Sequence, residues 1–273
     1  MRFVNILQLF FLLADGKRAK RGRVKGGSKV RDTTKYPSFV SIVTRNGAHY
    51  CGGVILDEMT VLSSAHCQIE KGHKVAYGTI KRSDRIESSI KYADIRSVND
   101  IGWMNSRGKS LWDEDYSIVR LASPLRFDSK TKSAVLGTFD EFANFILTGK
   151  TTCMIVGNGR TENPNYSDTL KEGRTKIHAY KTQAVKWLTG DDTNVFLMDN
   201  SGNAKADKGD SGGPLYCTVN GQQKVFGVAS FAHNGGVNDY DAYSGYAAVF
   251  TPAIQKHLSR WNQRNKTPRN FET

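Results

Sequence analysis

The six residues Gly209-Asp210-Ser211-Gly212-Gly213-Pro214 constrain this chain more than any other stretch. Glycines allow close backbone approach and φ/ψ values that side chains forbid. A serine held on such a turn can present its hydroxyl to a substrate carbonyl. The neighbouring backbone N–H groups can then face the oxygen that becomes negative during acyl transfer.

A serine hydroxyl is a weak nucleophile until a base takes its proton, and the base must itself be oriented. His66, in Ser64-Ala65-His66-Cys67, is the candidate base, and Asp115 the candidate orienting acid. Asp113 and Glu114 sit beside Asp115, so it could also be a solvated carboxylate. The apolar residues that follow (Tyr116, Ile118, Val119, Leu121) favour entry into a buried strand and single out Asp115. His73, His178, His233 and His257 have no partner pattern and read as structural or exposed.

The order His66…Asp115…Ser211, with Ala-His-Cys and Gly-Asp-Ser-Gly-Gly-Pro, resembles the chymotrypsin/trypsin family of serine proteases from about Val24 to Trp261. The resemblance implies that Ser211 is the nucleophile and His66 the general base, then the general acid to the leaving amine. Asp115 would hold the imidazole tautomer, and the N–H groups of Gly209 and Ser211 would form the oxyanion hole. Ser230 matches the family's serine beside the buried aspartate. The implied fold is all-β: two six-stranded antiparallel β-barrels packed side by side, residues 24–137 and 138–250, with the site between them and a C-terminal helix and tail over 251–273.

Met1 to Ala14 has one early positive charge and then an apolar run too short to span a bilayer, so residues 1–16 read as a secretory signal peptide. No later segment is long and apolar enough to cross a membrane. The basic stretch 17–23 precedes Val24-Lys25-Gly26-Gly27, which resembles the family's mature start. Cleavage after Arg23 by an activating protease would free the Val24 amine to pair with Asp210 and shape the oxyanion loop. Removing either partner of such a buried pair costs about 3–5 kcal/mol. His49 and Ser41 match the family positions that serve Asp210 before cleavage. Lys25 stands where the family keeps an apolar residue. The basic stretch could instead be a solvated tail or a polyanion-binding arm.

Of the formal net charge of +13, the first 23 residues supply six basic side chains and one acid, leaving +8 on the remaining 250 residues. That balance favours acidic partners such as sulfated glycans, beside the implied protein or peptide substrates and protease inhibitors. A monomer is expected, with no cofactor. No paired Cys/His spacing suits zinc, and the segment around Gly78 to Arg82 is basic where calcium-binding relatives carry carboxylates. Asn165 and Asn265 open possible glycosylation triplets. Four cysteines behind a signal peptide suggest two disulfides in one of three connectivities; the resemblance selects Cys51–Cys67 and Cys153–Cys217.

Short runs read as strands at 39–43, 53–56, 61–63, 117–121, 153–156, 214–219 and 225–229, with a hairpin turn at Asn220-Gly221. Thr251 can cap a final helix, Pro252 suits its first turn, and Ile254, Leu258 and Trp261 share one face. The substrate pocket departs from the resemblance. Lys205 falls where trypsin-like members keep an acid at the floor, and Asp207 where most keep a half-cystine. A lysine facing the cavity would reject basic side chains and accept acidic ones; alternatively it pairs with Asp207 or turns to solvent. Ser230, Phe231 and Ala232 form the expected rim, where the Ala232 methyl replaces a glycine and narrows the mouth. The segment Asp241 to Tyr246 aligns ambiguously with the far wall, and Asn158 replaces a usual tryptophan. The expected activity is secreted endopeptidase; a catalytically weak homologue that binds polyanions or a receptor is the rival.

Overall fold

A computed structural model describes residues 27–81, 90–102, 114–160, 167–178, 194–200, 204–234 and 242–266. The signal peptide, the basic stretch, Val24, Asn165 and Asp241 lie outside them.

Six strands close the first barrel in the order β2-β3-β4-β7-β6-β5. They are β2 (Phe39–Val43), β3 (His49–Asp57), β4 (Thr60–Ser63), β5 (Lys74–Tyr77), β6 (Lys91–Gly102) and β7 (Asp115–Leu121). β7 shows why its apolar residues fall on both faces. Val119 and Leu121 join the barrel interior with Val40, Ile42, Ile55, Val61 and Val75. Tyr116 and Ile118, on the opposite face, join Phe39, Val54 and Leu62 in a second cluster that also contains Tyr216, Val228 and Ala247. This second cluster is the core between the two halves. Alternate residues of β7 thus fill two different cores, and both faces carry buried apolar residues.

The second half forms a seven-stranded antiparallel sheet, β1-β9-β8-β11-β12-β13-β10. Its strands are β1 (Ser28–Lys29), β8 (Cys153–Gly157), β9 (Lys171–Thr175), β10 (Val195–Asp199), β11 (Pro214–Val219), β12 (Gln222–Asn234) and β13 (Ala242–Ala248). The end of β9 reaches β10 through an Ile177–Met198 bridge, with His178 N donating to Leu197 O and Asp199 N to Lys176 O, each at 2.8 Å. These bonds bring the six strands β8 to β13 round on one another. The seventh, β1, comes from the opposite end of the chain and adds at the edge of β9. Asn220 and Gly221, at φ 50° and 76°, make the two-residue turn between β11 and β12, a geometry that needs positive φ at both positions.

A short helix, α1 (Phe139–Glu141), is capped reciprocally by Thr138 and Glu141 and runs into a π-helical turn, Phe142–Ile146. The final helix, α2 (Pro252–Lys266), follows the second sheet but buries Ile254 and Leu258 in the core between the halves. Trp261 packs on the same core, and its Nε1 donates to Thr60 Oγ1 of β4 at 3.4 Å. The expected cap is not made. Thr251 precedes the helix, but its buried hydroxyl has no partner among the described residues; only its carbonyl is used, by Gln255 N. Two disulfides form, Cys51–Cys67 and Cys153–Cys217, the second between directly opposed residues of β8 and β11. No helix among the described residues is long and apolar enough to cross a membrane.

Candidate active site

Asp115 begins β7 and is fully buried. Its Oδ1 accepts from His66 N at 2.9 Å. Its Oδ2 accepts from His66 Nδ1 at 2.7 Å and from Ser230 Oγ at 2.5 Å. Three donors converge on the two oxygens of one carboxyl group. His66 Nδ1 therefore donates the hydrogen, which is the tautomer whose basic nitrogen is Nε2. His66 stands on a 3₁₀ turn, Ala65–Cys67, tethered by the Cys51–Cys67 disulfide to β3.

Ser211 is half-buried on the loop before β11. The loop is clamped from both halves. From the first, Gly52 N donates to Ser211 O at 2.7 Å, and His49 Nε2, whose Nδ1 bonds Ser41 Oγ at 2.6 Å, meets Gly209 O at 2.8 Å. From the second, Gly212 N donates to Ala229 O at 2.8 Å. That same Ala229 carbonyl accepts from Ser64 Oγ at 2.7 Å, two residues before His66. Gly212 has φ +73°, and a Cβ there would lie 2.1 Å from Ser63 Oγ and 2.6 Å from Gly52 O. Only glycine lets the loop press this closely on the turn that carries His66. The structure thus joins Asp115, His66 and Ser230 by hydrogen bonds and packs the Ser211 loop against them. The Ser211 hydroxyl itself makes no hydrogen bond among the described residues.

The two candidate oxyanion donors differ from the residue between them. Asp210 N donates to Asp207 O at 2.9 Å, whereas Gly209 N and Ser211 N have no acceptor among the described residues. Asp210 is buried, with Oδ1 accepting from Gly159 N at 2.8 Å and Oδ2 from Asp207 N at 2.9 Å. Burial pushes its carboxyl up to about 7 against the pull of those two N–H groups. The carboxylate occupies space that two missing side chains leave. A Cβ on Gly157 would lie 2.1 Å from Asp210 Oδ1, and one on Gly159 2.5 Å from both oxygens.

Beside Ser211 opens a cavity of about 180 Å³, lined by Ala206, Asp207, Lys208, Asp210, Ala229, Ser230, Phe231 and Ala232. Ser230, Phe231 and Ala232 stand where the sequence puts them. Lys205 does not: it is half-buried and outside this lining. Asp207 spends one oxygen on the Lys208 N–H, at 2.7 Å. The sequence reading gave no role in the site to the hydroxyls of Ser64 and Tyr116. Tyr116, fully buried beside Asp115, donates its hydroxyl to Ala248 O at 2.6 Å and locks β7 onto the second sheet. The signal for both was adjacency to His66 and Asp115.

The family model described as Trypsin matches residues 24–254. Chymotrypsin-like elastase family member 1 of Bos taurus is 30% identical over 225 residues, covering 79% of this chain and 81% of the bovine protein. The protein of the same name from Rattus norvegicus is 30% identical over 226 residues, with the same two shares. The Homo sapiens one is 28% identical over 223 residues, 79% of this chain and 84% of its own length.

Proposed function

This chain belongs to the trypsin family of serine proteases, and from that premise we propose that it is a secreted serine endopeptidase, made as a zymogen and activated after Arg23. The observation that carries the reading is the set of three donors on Asp115, which orients the His66 ring beside a loop whose Gly209 and Ser211 N–H groups have no acceptor among the described residues. Ser211 Oγ attacks the substrate carbonyl carbon and His66 Nε2 takes its proton. The carbonyl oxygen becomes an oxyanion facing the Gly209 and Ser211 N–H groups. His66 returns the proton to the leaving amine as the C–N bond breaks, leaving an acyl-serine. Water, deprotonated by His66, then releases the acid and restores Ser211. That the Ser211 hydroxyl has no partner among the described residues fits this sequence, since catalytic hydrogen bonds often tighten only in the substrate complex. Secretion is supported by the signal-like segment 1–16 and the two disulfides.

Ser211→Ala is expected to abolish labelling by a serine-reactive phosphonate in protein cleaved after Arg23, and labelling that survives refutes Ser211 as nucleophile. The departures at Lys205 and Asp207 favour one rival, a catalytically weak homologue whose basic surface binds polyanions. Cleaved protein on a peptide library separates the two. Turnover supports the protease; no turnover, with heparin binding that falls as salt rises, supports the rival.

A further inference from the structure

Ser63 and Ser64 lead into the 3₁₀ turn that carries His66, and both are fully buried. Ser63 closes β4. Ser64 stands just before the turn in extended backbone, φ −98° and ψ 140°. A serine in that place ordinarily caps the turn, its hydroxyl accepting from a backbone N–H. Ser64 makes no such cap. Its hydroxyl donates across the molecule instead, to Ala229 O of β12 at 2.7 Å. Ser63 Oγ donates to Gly52 O of β3 at 2.8 Å.

Both acceptors belong to residues that grip the same peptide group. Gly52 N donates to Ser211 O at 2.7 Å, and Gly212 N donates to Ala229 O at 2.8 Å. Ser211 O and Gly212 N are the two ends of the one planar unit that follows the nucleophile. Four hydrogen bonds therefore run from the two serines, through one residue of each half, to both ends of that plane. The enclosed space is tight. A Cβ on Gly212 would lie 2.1 Å from Ser63 Oγ, 2.6 Å from Gly52 O and 3.1 Å from Ser64 N. The Ala229 carbonyl already has the Gly212 donor, so the Ser64 bond is not needed to satisfy a buried acceptor. A peptide plane held at both ends resists rotation about the Ser211 Cα–C bond. The direction in which the Ser211 side chain leaves its loop is thereby fixed relative to the segment that ends in His66.

We propose that Ser63 and Ser64 are positioning residues for acyl transfer, which together set the reach between His66 Nε2 and the Ser211 hydroxyl. The assignment rests on the protease reading above. Each serine ties one end of the Ser211–Gly212 plane, so loss of one leaves the other in place. The effect falls on the chemical step and not on substrate binding.

The test uses the full chain cleaved after Arg23 and freed of the trypsin that cut it. Ser63→Ala, Ser64→Ala and the double variant are compared by peptide hydrolysis and phosphonate labelling, each rate expressed per folded molecule from urea unfolding. Each single change is expected to lower kcat about 2- to 12-fold, the worth of one neutral hydrogen bond, with KM within about twofold. Labelling is expected to slow in parallel. The double variant is expected to lose at least about fivefold more than the product of the two singles, as members of one hydrogen-bond network do. A merely structural role lowers the urea midpoint and leaves kcat per folded molecule unchanged, and that result overturns the proposal. A double loss short of that excess overturns it too, as does a loss carried by KM. If the double variant does not fold, Ser64→Ala alone decides, because Ala229 O keeps its Gly212 donor there; unchanged kcat in it overturns the proposal. Cleaved wild type that neither hydrolyses nor labels means that the protease reading itself has failed.

Discussion

Ser230 donates its hydroxyl to Asp115 Oδ2 at 2.5 Å, the same oxygen that receives the His66 Nδ1 hydrogen. Ser230 belongs to β12 and Asp115 to β7, so this bond crosses between the two halves. It holds the carboxylate in one plane for the imidazole. Ser230→Ala is expected to lower kcat/KM by about tenfold, in line with roughly 1.5 kcal/mol for a hydrogen bond to a charged group. Peptide hydrolysis with unchanged KM would locate the loss in the chemical step.

Gly159→Ala puts a methyl where the Asp210 carboxylate sits, 2.5 Å from both oxygens. The carboxylate must move, and the loop from Asp207 to Gly213 moves with it. Activity is expected to disappear, while thermal stability falls by the roughly 1–3 kcal/mol of an overpacked core. Calorimetry beside a phosphonate assay checks both; full labelling would show that the loop does not depend on Asp210.

The Cys51–Cys67 disulfide closes a loop with a sequence separation of 16 and ends beside His66. Replacing both cysteines by serine is expected to cost about 3 kcal/mol of stability. Turnover should drop further than the folded fraction does, because the His66 turn loses its tether to β3. Denaturant unfolding and active-site titration of the folded fraction separate the two effects.

Asp210 faces Asp207 and Tyr246, and burial raises its carboxyl from 3.8 to about 7. A folded-state value above the unfolded one means that the native state holds the proton more tightly. The associated stability is fully present below about pH 4 and is lost as pH rises through about 7. The uncut chain (Arg23→Gln) is expected to show this loss of stability between pH 4 and 7. Adding Asp210→Asn should flatten it. Urea midpoints across that range provide the measurement.

Lys205 lies outside the cavity beside Ser211, whereas Ala232 lines it. Lys205→Ala is therefore expected to leave the preferred side chain at the cleaved bond unchanged. Ala232→Gly is expected to raise turnover of peptides with bulkier side chains there. A substrate library run on both variants would show a loss of acidic preference in Lys205→Ala if the lysine does reach the substrate.

The parts legible in the sequence were those whose chemistry is local. β2 and β11 match the predicted runs to the residue, because every residue of Phe39–Val43 is buried and Asn220-Gly221 allows one tight turn. β6 and β9 were not read as strands. Lys91–Gly102 carries exposed polar residues through most of its length, and Lys171-Glu172-Gly173-Arg174-Thr175 looks like a solvated charge run. Lys171 is buried opposite Gly157 on the neighbouring strand, a pairing of register that no window along the chain contains. Lys205, expected as one alternative at the pocket floor, is not among the residues lining the cavity beside Ser211. Position along the loop was readable, but side-chain direction depends on how Asp207 and Lys208 fold without a half-cystine.

Anchoring of Ser28 and Lys29 against β9 has a mechanical consequence for the far end of the molecule. If the chain is severed after Arg23, only residues 24–27 precede the fixed strand, a leash of about 13 Å at full stretch. Gly27 already lies beside the strand that bears Lys171, its Cα 3.6 Å from the Cβ position of Gly173. A freshly made terminus would search a small sphere around that strand rather than the open solvent, and lengthening the leash by a few residues would dilute it.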